Sequence, residues 1–138
     1  MLVIRMNEIA LAELIDQQLR RVRTFGHPDV VGIDGIYLEF DAVQISVFVN
    51  ADEDSLEWRR GSVFPNYPEQ IEKEASFWSK FLNQQVIWIW EMQNQTGCRD
   101  ALQMLFTSAK NEHLIVQLLA MSSTMLVFDL REVRSDDN

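Results

Sequence analysis

The sequence predicts an α+β domain: a mainly antiparallel sheet of six to seven strands in meander order, with an N-terminal helix and a second helix near residues 69–82 packed on it. Three observations predict it. From residue 36 onward apolar and polar side chains alternate, the period of strands whose successive side chains point to opposite faces. In Asn7–Arg23 apolar residues recur at spacings of three and four, the period of an amphipathic helix. Short polar connections separate the alternating runs, as antiparallel hairpins require.

Taken in order, Ile9, Leu11, Ala12, Leu14, Ile15, Leu19 and Val22 form the apolar stripe of the first expected helix, with Asn7 as its N-cap and Met1–Arg5 as an extended lead-in. Gly26 and Pro28 end it, because glycine commonly terminates a helix and proline disfavours helical backbone in the residue before it. Val30–Asp34 is a short strand of its own, broken at Gly32 or Gly35. Ile36, Leu38 and Phe40 then alternate with Tyr37 and Glu39, Asp41 and Ala42 turn, and Val43, Ile45, Val47 and Val49 return. The acidic turn Asn50–Ser55 leads to a short strand, Leu56–Arg59. Gly61–Pro68 holds two of the three prolines and reads as the longest irregular stretch. Glu69–Leu82 supplies the second helix, with Ile71, Ala75, Phe77 or Trp78, Phe81 and Leu82 as its apolar side.

The central hairpin runs from Gln85 to Asn111. Val86, Trp88, Trp90 and Met92 alternate with Ile87, Ile89 and Glu91. A polar connection spans Gln93–Asp100, and Leu102, Met104 and Phe106 mark the return strand. Leu114–Ala120 and Met125–Arg131 give two further strands joined by Ser122, Ser123 and Thr124, and the polar Glu132–Asn138 closes the chain as a frayed end. Several strands, those with Ile87 and Ile89 and with Ile115 and Leu119, carry apolar residues of both parities. Three arrangements would satisfy that pattern: helices on both faces, a sheet curling toward a barrel, or an apolar patch used in a homodimer.

With 138 residues, 47% hydrophobic and 24% charged, the chain has the make-up of one folded domain, residues 1–138, and shows no internal repeat. Twenty-one acidic against twelve basic residues give a formal net charge of −9, which repels phosphate and argues against nucleic acid as a partner. The one basic cluster, Arg20, Arg21 and Arg23, falls at the end of the expected helix, where cations offset its dipole. No apolar run reaches the roughly 20 residues that span a bilayer. A lone Cys98 forms no intrachain disulfide, and the first fifteen residues lack the basic opening and cleavage site of a secretory leader, so the cytosol is the expected compartment.

Motifs for chemistry are sparse. Asp52, Glu53 and Asp54 offer oxygen ligands, but a Ca²⁺-binding loop beginning at Asp52 would need glycine at its sixth position, where Glu57 stands, and glutamate at its twelfth, where Phe64 stands. Cys98 beside Arg99 could favour a thiolate, yet the only bases of histidine type, His27 and His113, lie elsewhere in the chain. No zinc spacing, phosphate-cradling loop or nucleophile elbow is present, and neither a metal nor a cofactor is expected. Glu39, Glu91 and Asp129 on expected strands read as outward carboxylates more readily than as an acid–base pair. The constellation that best suits recognition is the central hairpin's tip and stem: Glu91, Gln93, Asn94, Gln95, Arg99 and Asp100 with Trp88 and Trp90. Plain turn chemistry accounts more readily for Asn94, Gly97 and an Arg99 paired with Asp100 or Glu91.

Gly35–Asn50 with the acidic turn after it, followed by Trp88, Trp90, Glu91, Asn94, Gln95, Gly97, Arg99, Asp100, Leu102, Gln103 and Phe106, resembles a small uncharacterised bacterial domain family over Gly35–Leu130. That family has an aromatic after the glycine where this chain has Cys98. The resemblance implies no activity and lends no catalytic residues. The expectation is therefore a non-enzymatic cytosolic domain that binds another protein, in the manner of small acidic immunity or antitoxin-like domains, with a basic partner or a second copy as its mate. Two other readings remain open: a small-ligand protein with a pocket lined by Trp88, Trp90 and Phe77 or Trp78, and a hydrolase working through carboxylates or Cys98.

Overall fold

The computed structural model describes residues 11–27, 29, 31–62, 71–72, 75–95, 97–108 and 110–130. Among them are nine strands: β1 (Leu19–Gly26), β2 (Gly35–Phe40), β3 (Gln44–Asn50), β4 (Ser55–Arg60), β5 (Ile71–Glu72), β6 (Gln85–Gln93), β7 (Arg99–Thr107), β8 (His113–Met121) and β9 (Thr124–Asp129). They form two antiparallel sheets, one ordered β4-β3-β2-β1-β5 and one ordered β6-β7-β8-β9. The expected extended lead-in Met1–Arg5, most of the irregular stretch Gly61–Pro68 and the tail Glu132–Asn138 lie outside the described residues.

The α+β expectation is wrong. Among the described residues only two short 3₁₀ turns are helical, Leu11–Leu14 and Ala75–Lys80, and the single meander sheet is replaced by a two-sheet arrangement. Local geometry accounts for the first error. Leu11 and Leu14 are three apart, which suits a 3₁₀ turn, and Asp16 then enters left-handed backbone at φ 72°. Further on, the register of β1 against β2 shifts between Leu19 and Arg21. This bulge sets two residues against one, so that Leu19 and Val22, three apart, reach the same core. A 3₁₀ turn followed by a bulged strand thus imitates helical spacing. Near residues 69–82 the chain gives β5, which pairs with Phe25 and Gly26 of β1, and then the Ala75–Lys80 turn. Trp78 and Phe81 point inward with the three-residue period of that turn, and Asn83 at φ 64° follows it.

The expected hairpins are present. β2 and β3 pair Leu38 with Ile45 and Ile36 with Val47, and β6, β7, β8 and β9 follow one another as neighbours. The inner faces of both sheets share one core, which includes Ile36, Leu38, Ile45, Val47, Leu56, Leu102, Met104, Phe106, Val116 and Leu118. Each large side chain fully removed from water there contributes roughly 1.5–3 kcal/mol. At the centre of the aromatic packing, Phe81 lies 5.4 Å from Phe106 and 5.6 Å from Trp78, ring centre to ring centre.

Among the described residues, two sets of backbone hydrogen bonds join the sheets to each other. Before β1, the Asp16 N–H donates to the Val86 carbonyl and the Gln17 carbonyl accepts from the Val86 N–H; Leu19 then donates to Gln84 and accepts from Asn83. Ile33, just before β2, exchanges bonds of 2.9 and 2.7 Å with Met125 of β9. Gly32 makes the second junction possible: at φ +88° it sits where a Cβ would fall 2.9 Å from the Met125 carbonyl oxygen. Two separate sheets joined by these junctions thus replace the single sheet curling toward a barrel that was weighed from the sequence. A third junction uses side chains. Asp54, in the β3–β4 turn, accepts hydrogen bonds from the backbone N–H groups of Ser122 and Ser123 at 3.1 and 3.0 Å, holding the β8–β9 turn.

Candidate binding surface

β7 and β8 are the two inner strands of the four-stranded sheet, and every second residue along them faces the core. The other set faces away from it. Register fixes which residues sit side by side on this outer face. One row holds Trp88, Leu105 and Ile115, with Leu130 bonded to the Ile115 carbonyl. The next holds Trp90, Gln103, Gln117 and Phe128. A third holds Met92, Ala101, Leu119 and Leu126, and Met121 with Thr124 completes the face. Trp88, Trp90, Met121 and Phe128 expose 50, 41, 48 and 38% of their surface, which separates them from ordinary core residues. None of the residues in these four rows carries a charge, in a chain where charged residues are 24% of the whole. At the middle of the face Gln103 donates a 2.6 Å hydrogen bond through Nε2 to Oε1 of Gln117.

The predicted tip cluster is brought together only in part. Trp88 and Trp90 stand on the outer face. Glu91 turns the other way and pairs with Arg99 at 3.7 Å, and the Arg99 guanidinium stacks 4.6 Å over the Trp58 ring of β4. That pair braces the hairpin against the opposite sheet. Asn94 accepts the Cys98 N–H on its side-chain oxygen at 3.1 Å and so shapes the turn, Gln93 and Gln95 are exposed beside it, and Asp100 is half-buried in β7. Cys98 is half-buried, and His113 pairs with Thr107 at the far end of β7, eight residues from Arg99 or roughly 27 Å along the strand.

The remaining sequence candidates are placed apart. Trp78 is inside the core, so it lines no common pocket with Trp88 and Trp90. Glu39 accepts from Tyr37 Oη at 3.3 Å, and Asp129 is paired with Lys80. The carboxyl of Asp54 is committed to the β8–β9 turn, and no cluster of three metal-ligating side chains occurs among the described residues. A shallow depression of about 300 Å³ at the β2–β3 turn is lined by Phe40, Asp41, Val43 and Arg60, among others. Its acid is engaged: the Gln18 backbone N–H and the Arg20 guanidinium hold the Asp41 carboxyl below the usual carboxylate range.

A model of a family of unknown function, DUF6334, matches residues 5–134. The chain belongs to that family. The match takes in both sheets and extends further toward the N-terminus than the resemblance carried by Gly35–Leu130. No curated protein and no solved structure matches the chain. Family membership thus brings no assigned residue to the surface, and its chemistry rests on the geometry above. Sequence reasoning had found Trp88 and Trp90 and had weighed an apolar patch, but it had not joined the two into one face. The signal was the second apolar parity of β8, in Ile115 and Leu119, which becomes a surface once the strands are in register. Among the described residues no helix is long and apolar enough to cross a membrane.

Proposed function

We propose that the chain is a non-enzymatic cytosolic domain that binds another polypeptide through the outer face of its four-stranded sheet. The observation that carries the reading is the pairing of half-exposed Trp88 and Trp90 with an uncharged, largely apolar surface on a chain of net charge −9. Tryptophan is enriched among the residues that dominate protein interfaces, and charged residues are depleted at interface centres. Four strands about 4.8 Å apart and rows about 6.8 Å apart give a flat footprint of roughly 500 Å², near the top of the ~300–600 Å² range for the largest apolar patch on a monomer. The single thiol, Cys98, suits a reducing compartment.

The test is affinity capture from native cytosol. The immobilised chain is compared with a Trp88→Ser/Trp90→Ser variant and with a control altered in the acidic turn, Asp52→Asn/Glu53→Gln. Retained proteins are identified by mass spectrometry. A protein held by the native chain and the control but lost from the tryptophan variant is the expected result. Equal retention by all three would overturn the reading.

A further inference from the structure

We infer that the occupant of the outer face is a second copy of this chain, related by a two-fold axis passing close to the Gln103–Gln117 pair. The inference rests on the docking reading above. Its particular support is the position and polarity of that pair. Gln103 and Gln117 lie on the two inner strands, in a row flanked on both sides by apolar rows, so they mark the middle of the surface. Each amide has a carbonyl and an NH₂ group. The bond between them uses Nε2 of Gln103 and Oε1 of Gln117, so the Gln103 carbonyl oxygen and the Gln117 NH₂ take no part in it.

A purely apolar partner would bury that donor and that acceptor without mates, and such orphaned groups are costly. A two-fold copy matches them, because an isologous contact brings residue i against j and j against i. The Gln103 oxygen of one chain meets the Gln117 NH₂ of the other, twice. Charge limits where such a contact can lie. Two chains of net charge −9 repel at long range, so a stable contact between them must lie where neither carries an acid, and this face meets that condition. The footprint of roughly 500 Å² falls short of the ~800 Å² per partner of a standard interface, which places the contact among the small, reversible ones.

The experiment is sedimentation velocity on the full chain from low-micromolar to several-hundred-micromolar concentration, at low and at high salt. The expected result is a monomer–dimer equilibrium that added salt strengthens, since screening removes the mutual repulsion. Gln117→Glu is close in shape, lies on a half-exposed site, and places two carboxylates near the axis; it should weaken the dimer at least tenfold while the urea midpoint stays unchanged. Adding Gln103→Lys to that variant restores complementary pairs and should recover most of the loss. A chain that stays monomeric throughout, or a dimer indifferent to Gln117→Glu, overturns self-pairing. If the chain is monomeric and Gln117→Glu nevertheless abolishes capture of an identified cytosolic protein, the docking face stands and only the second copy is rejected. If neither assay responds, both readings fall.

Discussion

Replacing Gly32 by alanine tests whether the sheets are joined as described. Two penalties arise at once. A residue with a Cβ held in left-handed backbone costs roughly 1–2 kcal/mol, and here φ is +88°. The new Cβ also falls 2.9 Å from the Met125 carbonyl oxygen, a backbone atom with no easy retreat, so the Ile33–Met125 junction must open or shift. Its two hydrogen bonds, 2.9 and 2.7 Å, are each worth about 1 kcal/mol net. The expected loss is therefore about 2–4 kcal/mol. With a urea slope of ~2 kcal/mol/M this lowers the denaturation midpoint by about 1–2 M, and an unfolding entropy of ~2.1 cal/mol/K per residue converts it to a fall in Tm of about 7–14 °C. Gly61→Ala and Gly97→Ala provide the control. Both glycines have positive φ, +80° and +85°, but a Cβ at either meets nothing within 4 Å, so only the backbone penalty should appear. If Gly32→Ala proved no more damaging than Gly97→Ala, the close approach to Met125 would not be what joins the sheets.

Asp54→Ala should cost about 1–2 kcal/mol, since two charge-assisted hydrogen bonds to an exposed turn are exchanged for water; urea melts measure it. Ser123→Gly in the same turn should raise the stability by up to ~1 kcal/mol, because Ser123 sits at φ 66°. Phe81→Ala removes a side chain buried among Phe77, Trp78 and Phe106 and should destabilise by about 3–5 kcal/mol in the same assay. For Asp41, whose carboxyl is held below its usual pKa of 3.8, the stabilising contribution is present above that value and lost as pH falls through the lower folded value. Asp41→Asn should therefore be less stable than the native chain at neutral pH, and the two denaturation curves should converge in strong acid.

Most strands after residue 36 were legible because one side-chain period runs through them; β6 departs from it, since a register shift between Val86 and Trp88 buries Val86 and turns Trp88 outward, although their spacing places both on one face. Once a turn such as Asp41–Ala42 lies between two alternating runs, the hairpin is specified locally; Ile36, Leu38 and Phe40 face the core as their spacing requires. What misled was Leu19 and Val22, whose three-residue separation arises from a bulge that depends on β2 as partner and leaves no trace in β1 alone. The same holds for Trp78 and Phe81, whose spacing suits either helix type. Of the surface, Trp88 and Trp90 were visible as single residues. Its extent was not, because the rows Leu105–Ile115 and Gln103–Gln117 exist only after β7 and β8 are set in register. Glu91 and Arg99 were candidates for recognition by composition, and the stacking on Trp58 that occupies them is a contact between sheets.

The junction between Leu19 and Gln84 also bears on the order of folding. Strands β6 to β9 contact their immediate successors, so that half can assemble from short loops, whereas the lead into β1 must wait for a partner about 65–70 residues away. During synthesis, when the N-terminal portion emerges first, β1 to β4 can pair among themselves while the segment around Gln17 stays open. It can engage Val86 only once β6 has emerged, and a chain interrupted before Gln84 would present that unfilled segment to any strand that came near.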